Sequence, residues 1–307
     1  MRAMTYAKYG DENVLELTEL PVPRVGPSQI LVRVTRSSVN PVDWKVMSGG
    51  LDEMMETRFP AIPGWDVAGI VEKVGPDTPE FAAGDRVAAY ARKMVVSGGT
   101  CAEYVTIPVD FAARIPDGVS DDEAGALPLT GLTARRAINA LDLTDQDTVL
   151  LHAASGGVGY LASQLAVRTG ATVLGTCSPA SFEKLHRIGV TPLEYGDGLV
   201  DRVREAAPDG VDAVADFAGE ALETTLAVLN EGGRHVSIAD PAVLEHGGRW
   251  LWVRPDGGGL SELLSLVEAG DLTLDIDRTL PLEELPEAYR ASREGRAHGK
   301  IVIHVQD

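Results

Sequence analysis

Hydrophobic and polar positions follow two rhythms along the chain. Up to residue 115, short apolar runs such as QILVRVT (29–35), VAGIVEKV (67–74) and DRVAAY (85–90) are separated by turn residues. Pro21, Pro23, Gly26 and Pro27 form one such break; Gly75, Pro76 and Asp77 form another, and Gly84 with Asp85 a third. β-Prone runs at this spacing, broken by residues that pre-set or relax φ, predict an irregular β-barrel or sandwich. The rhythm changes near Pro116. Asp121, Asp122 and Glu123 open an Ala-rich helical stretch that reaches Leu127, and a second helix is predicted over 132–140. From 148 onward, TVLLHA (148–153), ATVLGT (171–176), TPLEY (191–195), VDAVADF (211–217) and GRHVSI (233–238) read as strands. Helical patterns at 158–168, 180–188, 199–206 and 221–229 lie between them. Strands this continuously apolar, each followed by a helix, predict a parallel sheet covered on both faces. Beyond 240, RWLWVRP (249–255) predicts one more strand, 259–269 and 282–293 two helices, and KIVIHV (300–305) a closing strand.

The segment AASGGVG (153–159) stands where the strand TVLLH gives way to a helix. A diphosphate needs backbone N–H donors and an approach unobstructed by a β-carbon. Gly156 and Gly157 permit that approach, and Gly159 permits close packing of the helix on its strand. The helix N-terminus under Ser155, Gly157 and Val158 adds positive potential. In spacing the turn is G-x-G-x-x-G with Ala154 at the first glycine. A plain βα turn is the simpler alternative, but the complete βαβ context favours a dinucleotide site. NAD binders place an acid about 20 residues on, to grip the ribose hydroxyls. Here Ser178 stands nineteen residues after Gly159, and no carboxylate precedes Glu183 in that loop. Thr176, Ser178 and Ser181 offer hydroxyls and room for a 2′-phosphate, so NADPH is expected over NADH. Lys184, His186 and Arg187 follow on the next helix, as phosphate partners or as a solvated face.

Length and charge narrow the function classes. At roughly 100–200 residues per domain, 307 residues imply about two domains. The net charge of −19 disfavours nucleic acid and anionic membrane as partners and leaves a small-molecule substrate. Any phosphate must be held by a local device against the global field. Two cysteines, Cys101 and Cys177, build neither a disulfide framework nor a four-Cys zinc site, and read as small buried hydrophobes. The first residues lack an apolar signal core and no run has the length of a spanning helix, so a cytoplasmic location is expected.

With these motifs assembled, the chain resembles the zinc-independent medium-chain dehydrogenase/reductases, in the quinone oxidoreductase and enone reductase branch. The resemblance runs through ILVRV (30–34), SVNPVD (38–43), PGWDVAG (63–69), GDRV (84–87), ALPLTGLTA (126–134), AASGGVG and GKIVI (299–303). It implies a GroES-like irregular β-barrel catalytic domain, residues 1–118 and 270–307, and a doubly wound Rossmann NADP-binding domain at 119–269. Zinc relatives carry Cys where this chain has Asn40, and His where it has Trp65, so neither catalytic nor structural zinc is expected. Without a Lewis acid, the hydride acceptor must be electrophilic in itself, which suits quinones and conjugated enones or enals.

Residue by residue, the resemblance places Asn40 at the nicotinamide pocket and Thr130 as a hydroxyl beside the nicotinamide. It places Tyr195 near the adenosine 2′-phosphate, puts Ser181 or Phe182, depending on gaps, where relatives often carry a basic residue, and offers Lys300 or Arg296 as help with phosphate. Lys45, in NPVDWK, lies where relatives carry a lysine beside the nicotinamide amide. It could instead polarise the substrate carbonyl as enolate charge develops, or simply face solvent. The reading is an NADPH-dependent reductase of quinones or α,β-unsaturated carbonyls. Alternatives are an enoyl-thioester reductase and, from another class, a non-catalytic NADPH-binding sensor. The apolar run RWLWVRP predicts an edge strand that must be covered, and a homodimer is expected to cover it.

Overall fold

The computed structural model describes residues 1–307, which form two compact units, Met1–Leu132 with Arg254–Asp307, and Thr133–Val253.

The first unit is the β-rich one. Its seven-stranded sheet runs Ile276–Pro281, Lys300–His304, Gln29–Ser38, Asp66–Val74, Arg86–Tyr90 and Ala112–Arg114, and Tyr104–Pro108 also pairs with Gln29–Ser38. Only the first pairing is parallel. Gln29–Ser38 is long enough to serve three neighbours: Val302 faces Ser38, Ile30 faces Ile107, and Ile30 also faces Val74. A Cβ at Gly69 would run into the backbone at Arg33, so glycine lets these two strands close where their register shifts. Ile30, Val32, Val34, Val67, Ala88, Ile107 and Val302 are fully buried and form the core. A two-stranded ribbon, Arg2–Thr5 with Glu16–Glu19, completes the unit's strands.

The predicted domain boundaries shift. The helix Asp121–Ala126 packs on the strands Gln29–Ser38 and Asp66–Val74, and Gly257–Glu268 packs on Ala112–Arg114. Both were expected in the Rossmann half and both lie in the first unit. The cause is specific pairing. Asp121 accepts from Arg86 at 2.6 Å and from the Thr35 hydroxyl at 2.8 Å. Ser120 caps this helix, exchanging hydrogen bonds with Glu123. Its acidic first turn thus points basic strand residues and the helix start at each other.

The second unit holds a six-stranded, all-parallel sheet ordered Thr191–Glu194, Thr172–Cys177, Thr148–His152, Val211–Asp216, Leu229–Ser237, Arg249–Trp250. The helices Gly157–Val167, Phe182–Arg187, Leu199–Ala206 and Leu222–Val228 connect them. Leu150, Leu174, Val203, Val214 and Val228 pack into its core. Chain order reverses direction between Thr148–His152 and its two neighbours, and ligands of open α/β sheets bind at such a switch point, beyond the strands' carboxyl ends. Two predicted elements change extent: the strand expected over 249–255 keeps only Arg249–Trp250 in the ladder, and the second helix begins at Pro128 rather than 132; Ile276–Pro281 is among the strands that the sequence pattern did not predict. No helix is long and apolar enough to cross a membrane.

Candidate active site

Two groups of residues are the candidates for the chemistry, one in each unit. In the second unit, the strand Thr148–His152 runs into the glycine-rich turn. Ala153 takes a left-handed φ of 54°. The neighbouring strand holds this bend: the Ala153 N–H donates to Thr176 Oγ1 and the Ala154 N–H to the Thr176 carbonyl, each at 2.9 Å. Ala154 is fully buried, and Gly175 makes room for it, since a Cβ there would stand 2.7 Å from the Ala154 Cβ. The Gly156 N–H closes on the Ala153 carbonyl at 3.1 Å, and Gly156 begins the helix Gly157–Val167 without a side-chain cap. A Cβ on Gly159 would collide with the Ala153 carbonyl oxygen, whereas one on Gly156 would stand 3.4 Å from it. Gly159 therefore serves packing, while Gly156, which is exposed, serves approach.

This turn fits the diphosphate of a dinucleotide: it offers a helix N-terminus without a side-chain cap, at the switch point of a parallel sheet. Ser178 is half-buried and opens the turn Pro179–Ser181, with the Ser181 N–H on the Ser178 carbonyl at 2.9 Å. Lys184 reaches back so that Nζ donates to the Ser155 carbonyl at 2.9 Å and lies 4.4 Å from the Tyr160 ring centre. A cation thereby sits on the turn of this acidic protein, which the sequence reading left open. Tyr195 is exposed just after the strand Thr191–Glu194. Ser155, Gly157 and Val158 lie at the turn and first helical turn as expected. Two expected ligand contacts become supports instead: Thr176 is buried with its oxygen on the Ala153 N–H, and the Ala154 side chain points into the sheet. The Cys177 thiol is pushed up to about 11 by burial, consistent with an inert residue. His152 is buried and held below the usual imidazole range by desolvation, so it is a neutral core histidine.

In the first unit, Asn40 stands two residues after the strand Gln29–Ser38 and is the N-cap position of the helix Pro41–Met47. Its carboxamide is buried and doubly held. Nδ2 donates to Asp66 Oδ2 at 2.8 Å, and Oδ1 accepts from Lys300 Nζ at 2.7 Å. Lys300 Nζ also donates to the Val39 carbonyl at 3.0 Å and faces Asp66 Oδ2 at 3.5 Å. Asp66 further accepts the Ser38 hydroxyl and the Leu129 N–H, each at 2.7 Å. Asp43 Oδ2 accepts the Asn40 N–H at 2.8 Å, while its Oδ1 is buried without a protein partner. Burial, aided by the neighbouring Asp66 charge, pushes Asp43 up to about 7, against the opposing pull of its Asn40 hydrogen bond and Lys300. Burial likewise lowers Lys300, with Asp66 and Asp43 opposing.

Lys300 thus corrects the sequence expectation. It is 5% exposed with its ammonium spent on three protein oxygens, so it does not serve a phosphate. Thr130 is buried, and its hydroxyl donates to the Ala126 and Leu127 carbonyls at 3.0 and 3.3 Å. Lys45 is exposed, with Nζ 5.6 Å from the Trp44 ring centre, and stands outside the buried network. No group of three or more His, Cys, Asp or Glu side chains is arranged to hold a metal ion. Asp43 and Asp66 have no signal in the sequence as site residues. Asp66 stands just before the apolar run 67–74 that reads as a strand, and only tertiary structure places Lys300 against it.

Comparison with known proteins bears on both groups. The alcohol dehydrogenase GroES-like domain pattern matches residues 26–117, and the zinc-binding dehydrogenase pattern matches 192–303. The chain is 31% identical over 330 residues to a chloroplast envelope quinone oxidoreductase homolog of Arabidopsis thaliana, covering 99% of this chain and 98% of that protein. It is 29% identical to an NADPH-dependent alkenal/one oxidoreductase of the same plant, covering 99% and 79%. Among solved structures, the quinone oxidoreductase of Coxiella burnetii superposes with a TM-score of 0.90 at 30% identity, covering 100% of this chain and 99% of that one.

Proposed function

The chain belongs to the medium-chain dehydrogenase/reductase superfamily, in its quinone oxidoreductase and enone reductase branch, and from that membership we propose that it reduces quinones or α,β-unsaturated carbonyls with NADPH, without zinc. The observation that carries the cofactor reading is the uncapped helix at Gly156, closed onto Ala153 by Gly159, followed by a second-strand loop that holds serines and no acid. Bound NADPH supplies the hydride. The protein's part is to hold and orient. Ser155, Gly156, Gly157 and Val158 supply the diphosphate cradle. Ser178, Ser181 and Tyr195 form the surface offered to the 2′-phosphate, and Lys184 adds charge there.

In the first unit, Asn40 and Thr130 set the shape and polarity of the nicotinamide side. Lys45, the one exposed cation of this group, polarises the acceptor carbonyl as enolate charge develops. Such a contribution appears in the transition state rather than in ground-state binding. We also assign a homodimer, because the short edge strand Arg249–Trp250 leaves Trp250 and Trp252 half-buried at a sheet margin. A monomeric mass by light scattering at micromolar concentration would contradict it.

The test is to mix the purified protein with NADPH and a panel of quinones, enones, enals and enoyl thioesters, and to follow NADPH absorbance. Oxidation with quinones or enones is expected. Binding without oxidation across the panel would identify an NADPH sensor, and turnover confined to thioesters would identify an enoyl-thioester reductase.

A further inference from the structure

The Asn40 carboxamide lies between a group that only donates and a group that only accepts. Lys300 Nζ has no acceptor capacity as an ammonium, and Asp66 has no donor as a carboxylate. The three oxygens around Nζ, from Val39, Asn40 and Asp66, match its three N–H bonds. Turning the amide over would set its NH2 against the ammonium and its oxygen against the carboxylate. Both charge-assisted bonds would be lost and two repulsive contacts formed, at a place where Asn40, Asp66 and Lys300 are all at least nine-tenths buried. The orientation is therefore dictated by chemistry. It commits Oδ1 to Lys300 and one Nδ2 hydrogen to Asp66, and leaves the other Nδ2–H as the side chain's remaining donor.

Asp66 does a second thing. Its other oxygen, Oδ1, accepts the Leu129 N–H at 2.7 Å, near the start of the helix Pro128–Leu141 and one residue before Thr130. One buried carboxylate thus ties the Asn40 segment to the Thr130 segment, although 63 residues separate Asp66 from Leu129.

We propose that Lys300 and Asp66 are positioning residues: as a buried charge pair they hold the Asn40 carboxamide as a hydrogen-bond donor and lock it to the N-terminus of the Thr130 helix. Asn40 then meets an acceptor atom on its ligand, such as a carboxamide or carbonyl oxygen, and its donor strength is raised by the ammonium on its own oxygen. In catalytic terms the inference rests on the reductase reading above; in structural terms it does not.

Two measurements keep these apart. The chain has four asparagines, Asn13, Asn40, Asn139 and Asn230, so selective 15N-asparagine labelling gives a short set of side-chain amide signals. The Asn40 pair, assigned by its loss in Asn40→Ala, should exchange slowly with solvent. It should shift in Lys300→Met and in the charge-neutral double variant Lys300→Met/Asp66→Asn, while the Asn13 pair stays in place. An Asn40 pair that exchanges as fast as Asn13, or that ignores the double variant, overturns the inference whether or not the protein turns over any substrate.

The second measurement is kinetic, with the NADPH-loaded enzyme and its best acceptor. Lys300→Met alone strands a buried carboxylate and could unfold the unit, so the neutral double variant carries the comparison. It should melt near the wild type yet lose kcat by about tenfold or more, with the KM for NADPH changed less than about threefold. Adding Asn40→Ala to it should cost less than about twofold further, because Lys300 and Asp66 act through Asn40. Full recovery of kcat along with stability, or multiplicative losses on adding Asn40→Ala, would overturn the positioning role. Absence of wild-type turnover with the expected amide signature would instead refute the reductase reading and leave the positioning device standing.

Discussion

In the first unit the polar groups of the candidate site are buried side chains, and in the second they are backbone amides at the start of a helix. Asn40, Asp66 and Lys300 are almost free of solvent, and each satisfies the others. Gly156 is exposed and begins its helix without a side-chain cap. A buried charge network is stable only when complete, since removing one member leaves another uncompensated in a low dielectric. A backbone cradle has no side chain to remove; it is damaged by adding atoms where glycine leaves space. The two groups should therefore respond to opposite kinds of substitution, deletions in one and additions in the other.

The largest effect is expected from a deletion in the network. Asp66→Ala removes the acceptor for Ser38, Asn40, Leu129 and Lys300 together. It should destabilise the protein by about 3–5 kcal/mol, read as a fall in denaturant midpoint. A loss under about 1 kcal/mol would mean that the network relaxes freely.

Next comes the pH response of Asp43. Its folded pKa, about 7, lies above its ordinary value of 3.8. Between those values the folded state binds more protons than the unfolded one, so this group's contribution is fully present below about pH 4 and lost as pH rises through about 7. Asp43→Asn cannot ionise, so its stability relative to wild type should rise by a few kcal/mol from pH 4 to pH 8. A constant difference across that range would show that Asp43 stays ionised in the fold. The groups facing it are Asp66 and Lys300, with Tyr6, Tyr289 and Cys101 also close enough to interact.

The additions come third. Gly159→Ala sets a methyl against the Ala153 carbonyl and should cost about 1–3 kcal/mol of stability. Gly156→Ala meets only an ordinary contact at 3.4 Å and should melt like the wild type while losing NADPH affinity by about tenfold, ~1.4 kcal/mol. Equal melting and equal affinity for the two variants would erase the distinction between packing glycine and approach glycine.

Much of this was legible from the chain alone, and unevenly so. The parallel sheet, the glycine-rich turn and its missing acid could be read because each is local: a strand, a turn and a helix in succession, with the selectivity loop at a fixed spacing. The buried network could not. Asn40, Asp66, Leu129 and Lys300 come from four distant segments, and nothing in the spacing of Lys300 from Asn40 says that a C-terminal strand will pair with Gln29–Ser38. A lysine near a chain end reads as a surface cation, which is why Lys300 was expected at a phosphate. The domain boundaries moved for the same reason, because the Arg86–Asp121 ion pair that fixes one helix spans 35 residues.

Two smaller effects sharpen the contrast at its edges. NADPH should bind at least about tenfold tighter than NADH, ~1.4 kcal/mol, and Ser178→Asp should shift that preference toward NADH. Calorimetry showing equal affinities in the wild type would remove the 2′-phosphate reading of that loop. Lys45→Met should lower kcat on enones by about tenfold, ~1.4 kcal/mol, with NADPH affinity nearly unchanged and quinones affected less. No change in kcat would make Lys45 a solvent-facing residue on Trp44.

The proposed reaction is hydride transfer from NADPH to a conjugated carbonyl or quinone with no metal taking part. Incubating the chelator-treated protein with NADPH carrying deuterium at the transferable C4 position and an enone tests it most directly. The account predicts one deuterium on the β-carbon of the saturated product by mass spectrometry, at the same rate as before chelation. Product without deuterium, deuterium on a carbinol carbon, or activity that disappears with chelation and returns with added zinc would contradict it.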